Sequence, residues 1–450
     1  MTFALFLIFT TNIVLRLNDF LPGFRGFPLA EIMIPLLVAL WILFEKKDFT
    51  GAPDYLLPSF YLLMVVTFAI TVWEGGAIML ARGYLAWVLL YFLAANLVRT
   101  NKRMDYTFAA LLAASLVLVF HSVQQVQNWD GVTDESGVGF SGATVQMGRI
   151  RYVGVMNDPN DLALFFAMML PLALQLSAKG MNLFKSVAGY FVCLPLVYGI
   201  ILSNSRGGML ACGGVAALFT YRRWGIVKAG VLCLALAMAA LTFGPSRLRE
   251  ENESDEHTTQ GRIHAWHAGF EIFKKHPITG CGVGEFTEYH HLTAHNSFVL
   301  CFAETGFVGY LLWLGTGAYA MYGLYVVMTR TRPGTRSYRQ AVGLFDSLAA
   351  FYVGGFFLSR TYFLLLPVLL GLAVARYKMT RDELSELQAE QAASGTLPNG
   401  EPSGDFLPDP EPIPDLSWRS VPRYTPKLVG LALASMVLIN LIVRIKLARG

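Results

Sequence analysis

Apolar runs of roughly bilayer length recur along this chain, and few folds accommodate that. A helix needs about 20 residues to cross a hydrocarbon core of about 30 Å. Such runs fall at 2–16, 28–44, 55–73, 76–98, 105–126, 160–178, 183–203, 207–221, 226–244, 296–328, 340–358, 361–377 and 427–446. Only 15% of residues are charged, against about a quarter in soluble domains. A segment in lipid must satisfy its own backbone hydrogen bonds, and the strand alternation of a barrel is absent. The chain therefore reads as all-α, a polytopic integral membrane protein with about 12–13 transmembrane helices. One long loop, 245–295, separates two spans and carries an amphipathic surface helix.

Charge sets the orientation. With the N-terminus inside, the short inner connections carry Lys46 and Lys47; Arg99, Lys102 and Arg103; Lys179 and Lys185; Arg222, Arg223 and Lys228; Arg330, Arg332, Arg336 and Arg339; and Arg376, Lys378 and Arg381. That excess on one side follows the positive-inside rule. It puts 127–159, Arg206 and the loop 245–295 outside the cytoplasm. The net charge of +4 is topology rather than nucleic-acid affinity. The apolar start, Phe3 to Leu15, lacks a basic leader and a cleavage site and reads as a span. The five cysteines form no CxxC and no disulfide framework. The chain divides into N-terminal helices 1–150, a core 151–379, a linker 380–426 in which a polar, helix-prone stretch (TRDELSELQAEQ) gives way to disordered acidic and proline-rich sequence, and a last helix 427–450 of undecided orientation. No internal repeat is visible, which counts against the usual transporter organisation.

The chemistry-bearing residues gather on the outer side. Arg206, in SNSRGGML, sits at an outer span end where positive charge is disfavoured, beside glycines that permit close approach. It reads either as a clamp for an anionic head group or as a snorkelling anchor. The stretch 261–280 places Ile263, Trp266, Phe270 and Phe273 at helical spacing, an amphipathic surface helix. Arg262 lies in its first turn, where the helix dipole disfavours a cation. It reads as ligand-facing or as a solvated partner of Glu250 or Glu251. GCGVGEF, 280–286, reads as a tight turn and not a nucleotide loop. In HLTAHNSF, Asn296 or Ser297 caps a helix and leaves His295 just ahead of it. Histidine suits proton transfer near neutral pH, and a capping-region role is the plain alternative. Seven of the 8 histidines lie at 257–295, but HAWH and HH lack zinc-site spacing. In RYVGVMNDPNDLALF, Asp158 caps and Pro159 opens a helix on the outer face, and asparagines that line a site are the alternative reading. Arg82 lies inside a span, where arginine is costly; it reads as a functional group or as a partner of Glu31 or Asp346.

Taken in order, these motifs resemble the O-antigen ligase and O-antigen polymerase family of bacterial envelope glycan biosynthesis. The resemblance rests on G-x-x-NDPN-x-LA, an outward S-R-G, GR-x-x-x-W, HP-x-x-G-x-G-x-G-x-F, and HNSF followed by AE-x-G-x-x-G, over about residues 150–310. It implies a multi-pass protein of the bacterial inner membrane with its active face and long loop in the periplasm. It implies inverting transfer of a glycan from an undecaprenyl-diphosphate carrier to an acceptor hydroxyl of a glycan, lipid or protein. No metal, no nucleotide and no other cofactor is implied, and no nucleic acid. By motif, Arg206 and Arg262 would grip the donor diphosphate, and His295 would orient or deprotonate the acceptor. Arg82 is added here as a third diphosphate contact. Two readings compete: a permease for an anionic solute, and a non-catalytic scaffold of an envelope assembly complex.

Overall fold

The structure is a computed structural model that describes residues 1–17, 27–127, 150, 152, 156–177, 183–243, 259–394, 406 and 413–448. It is helical, as the apolar runs require. The helices are α1 (Thr2–Leu15), α2 (Leu29–Phe44), α3 (Pro53–Thr71), α4 (Glu74–Leu97), α5 (Asn101–Gln127), α6 (Pro159–Leu174), α7 (Leu183–Leu202), α8 (Arg206–Trp224), α9 (Ile226–Phe243), α10 (Thr259–Lys275), α11 (Phe286–Tyr289), α12 (Ser297–Arg330), α13 (Arg336–Gly355), α14 (Leu366–Ser394) and α15 (Val421–Leu447). Helices α3, α4, α5, α12 and α15 are long and apolar enough to cross a bilayer, and several others are apolar but shorter. The chain is a multi-pass membrane protein.

Helix α6 is the hub of one half: nearly every residue from Pro159 to Ala173 is buried. It packs against α7, α8 and α13. In the other half, α14 lies along α4, and α3 lies along both α4 and α12. Helices α12, α13 and α14 join the halves. The loop end of α12 is broken at Gly306, where φ is 66° and ψ −172°. The glycine turn 280–284 docks into this break. Cys281 N–H donates to Ala303 O, Gly282 N–H to Glu304 O, and Phe307 N–H to Pro277 O, at 2.8–3.0 Å.

Opposite the loop end, the bundle is tied by charge. Lys378 Nζ donates to Asp54 Oδ2 at 2.8 Å, and Tyr91 Oη donates to Asp54 Oδ1 at 2.7 Å. Arg376 is fully buried and reaches Gln340, Thr380 and Glu383. These groups anchor α14 beyond its apolar part. The helix runs to Ser394 instead of yielding to a linker at 380, with Leu384 buried under it. The expected linker is therefore helical up to Ser394; residues 395–405 and 407–412 lie outside the described residues. The last helix begins at Val421 rather than 427. Just before it, Ala52 N–H donates to Leu416 O at 2.8 Å.

Contacts fix the direction of α15. Tyr310 hydrogen-bonds Ser435 at 2.7 Å, Gly315 lies beside Leu428, and Tyr319 packs on Tyr424 at 5.8 Å. One number rises as the other falls, so α15 runs antiparallel to α12 and ends on the side where α12 begins. There it also contacts α10.

Candidate functional site

Two residues past the end of α7, Asn204 has a positive φ of 55°. Ser205 then caps α8 by accepting from Gly208 N–H at 3.1 Å. The glycines of SRGG serve packing. A Cβ on Gly208 would stand 2.4 Å from Ala163 Cβ, and one on Gly207 would stand 3.3 Å from Phe357 Cβ. Arg206 is therefore held where α6, α8 and the α13–α14 connection, 356–365, meet.

Helix α10 reaches the same connection from the loop. Its apolar face is buried: Trp266 packs edge-on against Phe356 at 5.4 Å, and Phe270 against Phe302 at 4.9 Å. Arg262 stands one turn before Trp266. Its Nε is buried without a hydrogen-bond partner in the protein. Burial holds the Arg262 guanidinium below its ordinary pKa, and repulsion from Arg206 adds to the effect. Two arginines placed close enough to repel, one of them poorly solvated, favour an anion that bridges them.

His295 precedes α12 with φ 46°, an uncommon conformation for a residue with a side chain. Its neighbours hold it there. Asn296 is fully buried and caps α12, its Oδ1 accepting from Phe298 and Val299 N–H. Ser297 Oγ donates to Leu358 O at 2.6 Å and accepts from Arg360 N–H at 2.8 Å. Thr361 Oγ1 donates to Ser297 O at 2.7 Å, and Thr293 Oγ1 to Ser359 Oγ at 2.9 Å. The histidine turn is thus laced to residues 358–361.

Past that lacing lies a cleft of about 540 Å³, within the roughly 300–1,000 Å³ of ligand pockets. Its walls include Tyr84, Asn157, Asp158, Asp161, Arg360 and Tyr362. Arg360 Nε donates to Asp161, and its NH2 lies 3.8 Å from Asp158. Tyr362 Oη donates to Glu304 Oε2 at 2.9 Å, and Gly284 N–H donates to Glu304 Oε1 at 3.0 Å. The glycine turn, the α12 break and the cleft wall are therefore one connected structure.

Residues next to Arg206, one turn from Arg262 and on either side of His295 all meet the connection 356–361: Gly207 lies against Phe357, Trp266 packs on Phe356, and Thr293 and Ser297 bond to Ser359 and Leu358. Arg82 does not join them. It is exposed on α4, two residues from Tyr84 and so about 200° round the helix from the cleft wall. Asp346, considered as its partner, pairs with Arg222 instead, and Glu31 is exposed at the start of α2. His290 and His291 stack on each other at 4.6 Å. Among the described residues no three of His, Cys, Asp and Glu come together as a metal site would require. The residues that sequence reasoning missed are Arg360, Asp161, Tyr84, Tyr362 and Glu304. One signal was available: Arg360, like Arg206, is a cation at an outer span end.

Residues 191–314 match the family model of the O-antigen ligase. That segment contains Arg206, Arg262 and His295, whereas Tyr84, Asp158, Asp161 and Arg360 lie outside it. A search of curated proteins returns no match.

Proposed function

We propose that this chain, whose segment 191–314 belongs to the O-antigen ligase family, transfers a glycan from an undecaprenyl-diphosphate carrier to an acceptor hydroxyl. The observation that carries the reading is that Arg206 lies close enough to Arg262 to repel it, while the residues flanking both arginines and His295 pack against or bond one segment, 356–361. In this reading the two guanidinium groups hold the diphosphate. His295 accepts the proton of the acceptor hydroxyl as its oxygen attacks the anomeric carbon. The bond from that carbon to the diphosphate oxygen breaks, and the arginines stabilise the charge that develops there. A single displacement inverts the anomeric configuration. The already activated diphosphate supplies the driving force, and the side chains supply the acid–base and electrostatic chemistry without a metal. The site face would be periplasmic and the membrane the bacterial inner membrane, with membrane lipids around the apolar faces. The positive-inside pattern supports that orientation.

The test is His295→Ala and Arg206→Ala, one at a time, in the native host. Surface glycan is expected to fall by at least about 100-fold, the loss typical of a missing general base or anion clamp. Lipid-linked precursor is expected to accumulate. Normal glycan in both variants at normal protein level would overturn the assignment.

A further inference from the structure

The cleft beside His295 is not the place for the diphosphate. Two carboxylates, Asp158 and Asp161, face one guanidinium, Arg360, and that guanidinium is already engaged by both. A second phosphate there would meet a net negative wall. The same wall is rich in planar, bidentate groups: two carboxylates, a guanidinium and the exposed amide of Asn157. It also holds flat aromatic surface. Tyr84 and Tyr362 are half-buried and stand edge to face at 5.4 Å. Planar pairs of hydrogen-bonding groups beside an aromatic face match a ring that has vicinal hydroxyls on its rim and C–H groups on its face. The floor of the cleft, Ser359 and Arg360, is bonded to Thr293 and Ser297 on either side of His295.

We infer that this cleft is a pyranose-binding subsite, in which Asp158, Asn157 and Arg360 hydrogen-bond the hydroxyls of one sugar ring and Tyr84 stacks on its face. The inference rests on the glycosyl-transfer reading for its place in a reaction. Its own content is separate: Gly207 beside Arg206 and Trp266 one turn from Arg262 pack on residues 356–358, and the cleft is lined by Ser359, Arg360, Tyr362, Phe363 and Leu364. In this reading the connection 356–365 stands between the anion-binding arginines and the carbohydrate cleft. The ring belongs either to the donor glycan or to the acceptor, and the experiment separates them.

The full-length protein in nanodiscs is titrated with two probes. One is the oligosaccharide released from the host's envelope polysaccharide, free of lipid and phosphate, followed by saturation-transfer NMR. The other is undecaprenyl diphosphate without sugar. The variants are Tyr84→Ala and Asn157→Ala, whose side chains cap no helix, and Arg262→Ala. Asp161 is left intact, because its loss would remove the buried carboxylate that positions the Arg360 guanidinium. Tyr84→Ala is expected to weaken the oligosaccharide about tenfold or more, the order of a lost contact of this kind, with undecaprenyl diphosphate binding within twofold of wild type. Arg262→Ala is expected to do the reverse. Displacement of the oligosaccharide by the complete lipid-linked glycan assigns the ring to the donor; simultaneous binding assigns it to the acceptor. Oligosaccharide binding that is absent in wild type, or unchanged in both cleft variants, overturns the subsite. Unchanged undecaprenyl diphosphate binding in Arg262→Ala overturns the diphosphate reading and leaves the cleft standing.

Discussion

Gly306→Ala should be far more damaging than its chemistry suggests. Gly306 sits at φ 66° and ψ −172°, a region essentially reserved for glycine, where a side chain costs about 1–3 kcal/mol. The space is also taken. A Cβ there would stand 2.1 Å from Ile278 O and 2.3 Å from Ile278 C, both backbone atoms that cannot swing aside. The turn 277–284 would have to lift off α12. It is held by three backbone hydrogen bonds, from Cys281, Gly282 and Phe307 N–H, each contributing about 1 kcal/mol. Strain and lost bonds together come to about 4–6 kcal/mol. The same movement pulls Gly284 N–H from Glu304 and loosens Tyr362 in the cleft wall. Gly284→Ala is the matched control. Gly284 also has a positive φ, 88°, but its Cβ would meet nothing within 4 Å, so only the strain of about 1–3 kcal/mol applies. Equilibrium unfolding of both variants in mixed SDS and mild detergent, followed by tryptophan fluorescence, reads the difference. If the two differ by less than about 1 kcal/mol, the kink is not locked by the docked turn and the reasoning fails.

Three further perturbations test other parts of the architecture. Gly208→Ala pushes a methyl to 2.4 Å from Ala163 Cβ and is expected to destabilise by about 1–3 kcal/mol and slow precursor turnover by moving Arg206. Gly213→Ala, with nothing within 4 Å, should instead stabilise by up to about 1 kcal/mol in the same unfolding assay. Lys378→Met leaves Asp54 buried beside Tyr91 without its cation and is expected to cost about 3–5 kcal/mol. Adding Asp54→Asn should return more than half of that, and a double-mutant cycle measures it. The Cys281 thiol is pushed up to about 12 by burial, with Glu304 adding to the shift. A raised pKa keeps the thiol neutral, so maleimide at about pH 8 should label Cys281 only after SDS unfolding. Labelling of the native protein as fast as of the unfolded chain would contradict the burial.

The helices were legible because each rule that marks them is local. Asp158 and Pro159 open α6, and Asn296 caps α12, at the positions the sequence assigns. Span ends fall within a few residues because hydrocarbon thickness sets their length. The departure is α14. Its residues beyond 380 are polar, and a span template stops where polarity begins. What continues the helix is hydrogen bonding to distant segments, Arg381 to Asp48 ahead of α3 and Arg376 to Asn101 at the start of α5, which no local window contains. The direction of α15 was undecided for the same reason: basic residues flank it on both sides, and only its contacts with α12 fix it.

The candidate site was half legible, and the residues that sequence reasoning did not propose for it have a common cause. Arg206, Arg262 and His295 each break a local expectation: a cation at an outer span end, a cation in a first helical turn, a titratable group ahead of a cap. Arg82 broke one too, a cation within a span, yet it faces away from the cleft. Local anomaly therefore finds candidates but does not assemble them. Assembly is done by the ten residues 356–365, eight of which the apolar runs 340–358 and 361–377 assign to spans, leaving only 359–360 between them. Phe356 receives Trp266, Phe357 receives Gly207, Ser359 and Arg360 receive the histidine turn, and Arg360 receives Asp161. Every one of these partners lies on another element, so neither periodicity nor composition marks the segment. An outer connection too short for a domain, yet carrying an arginine against the topological rule, is the pattern that would have exposed it.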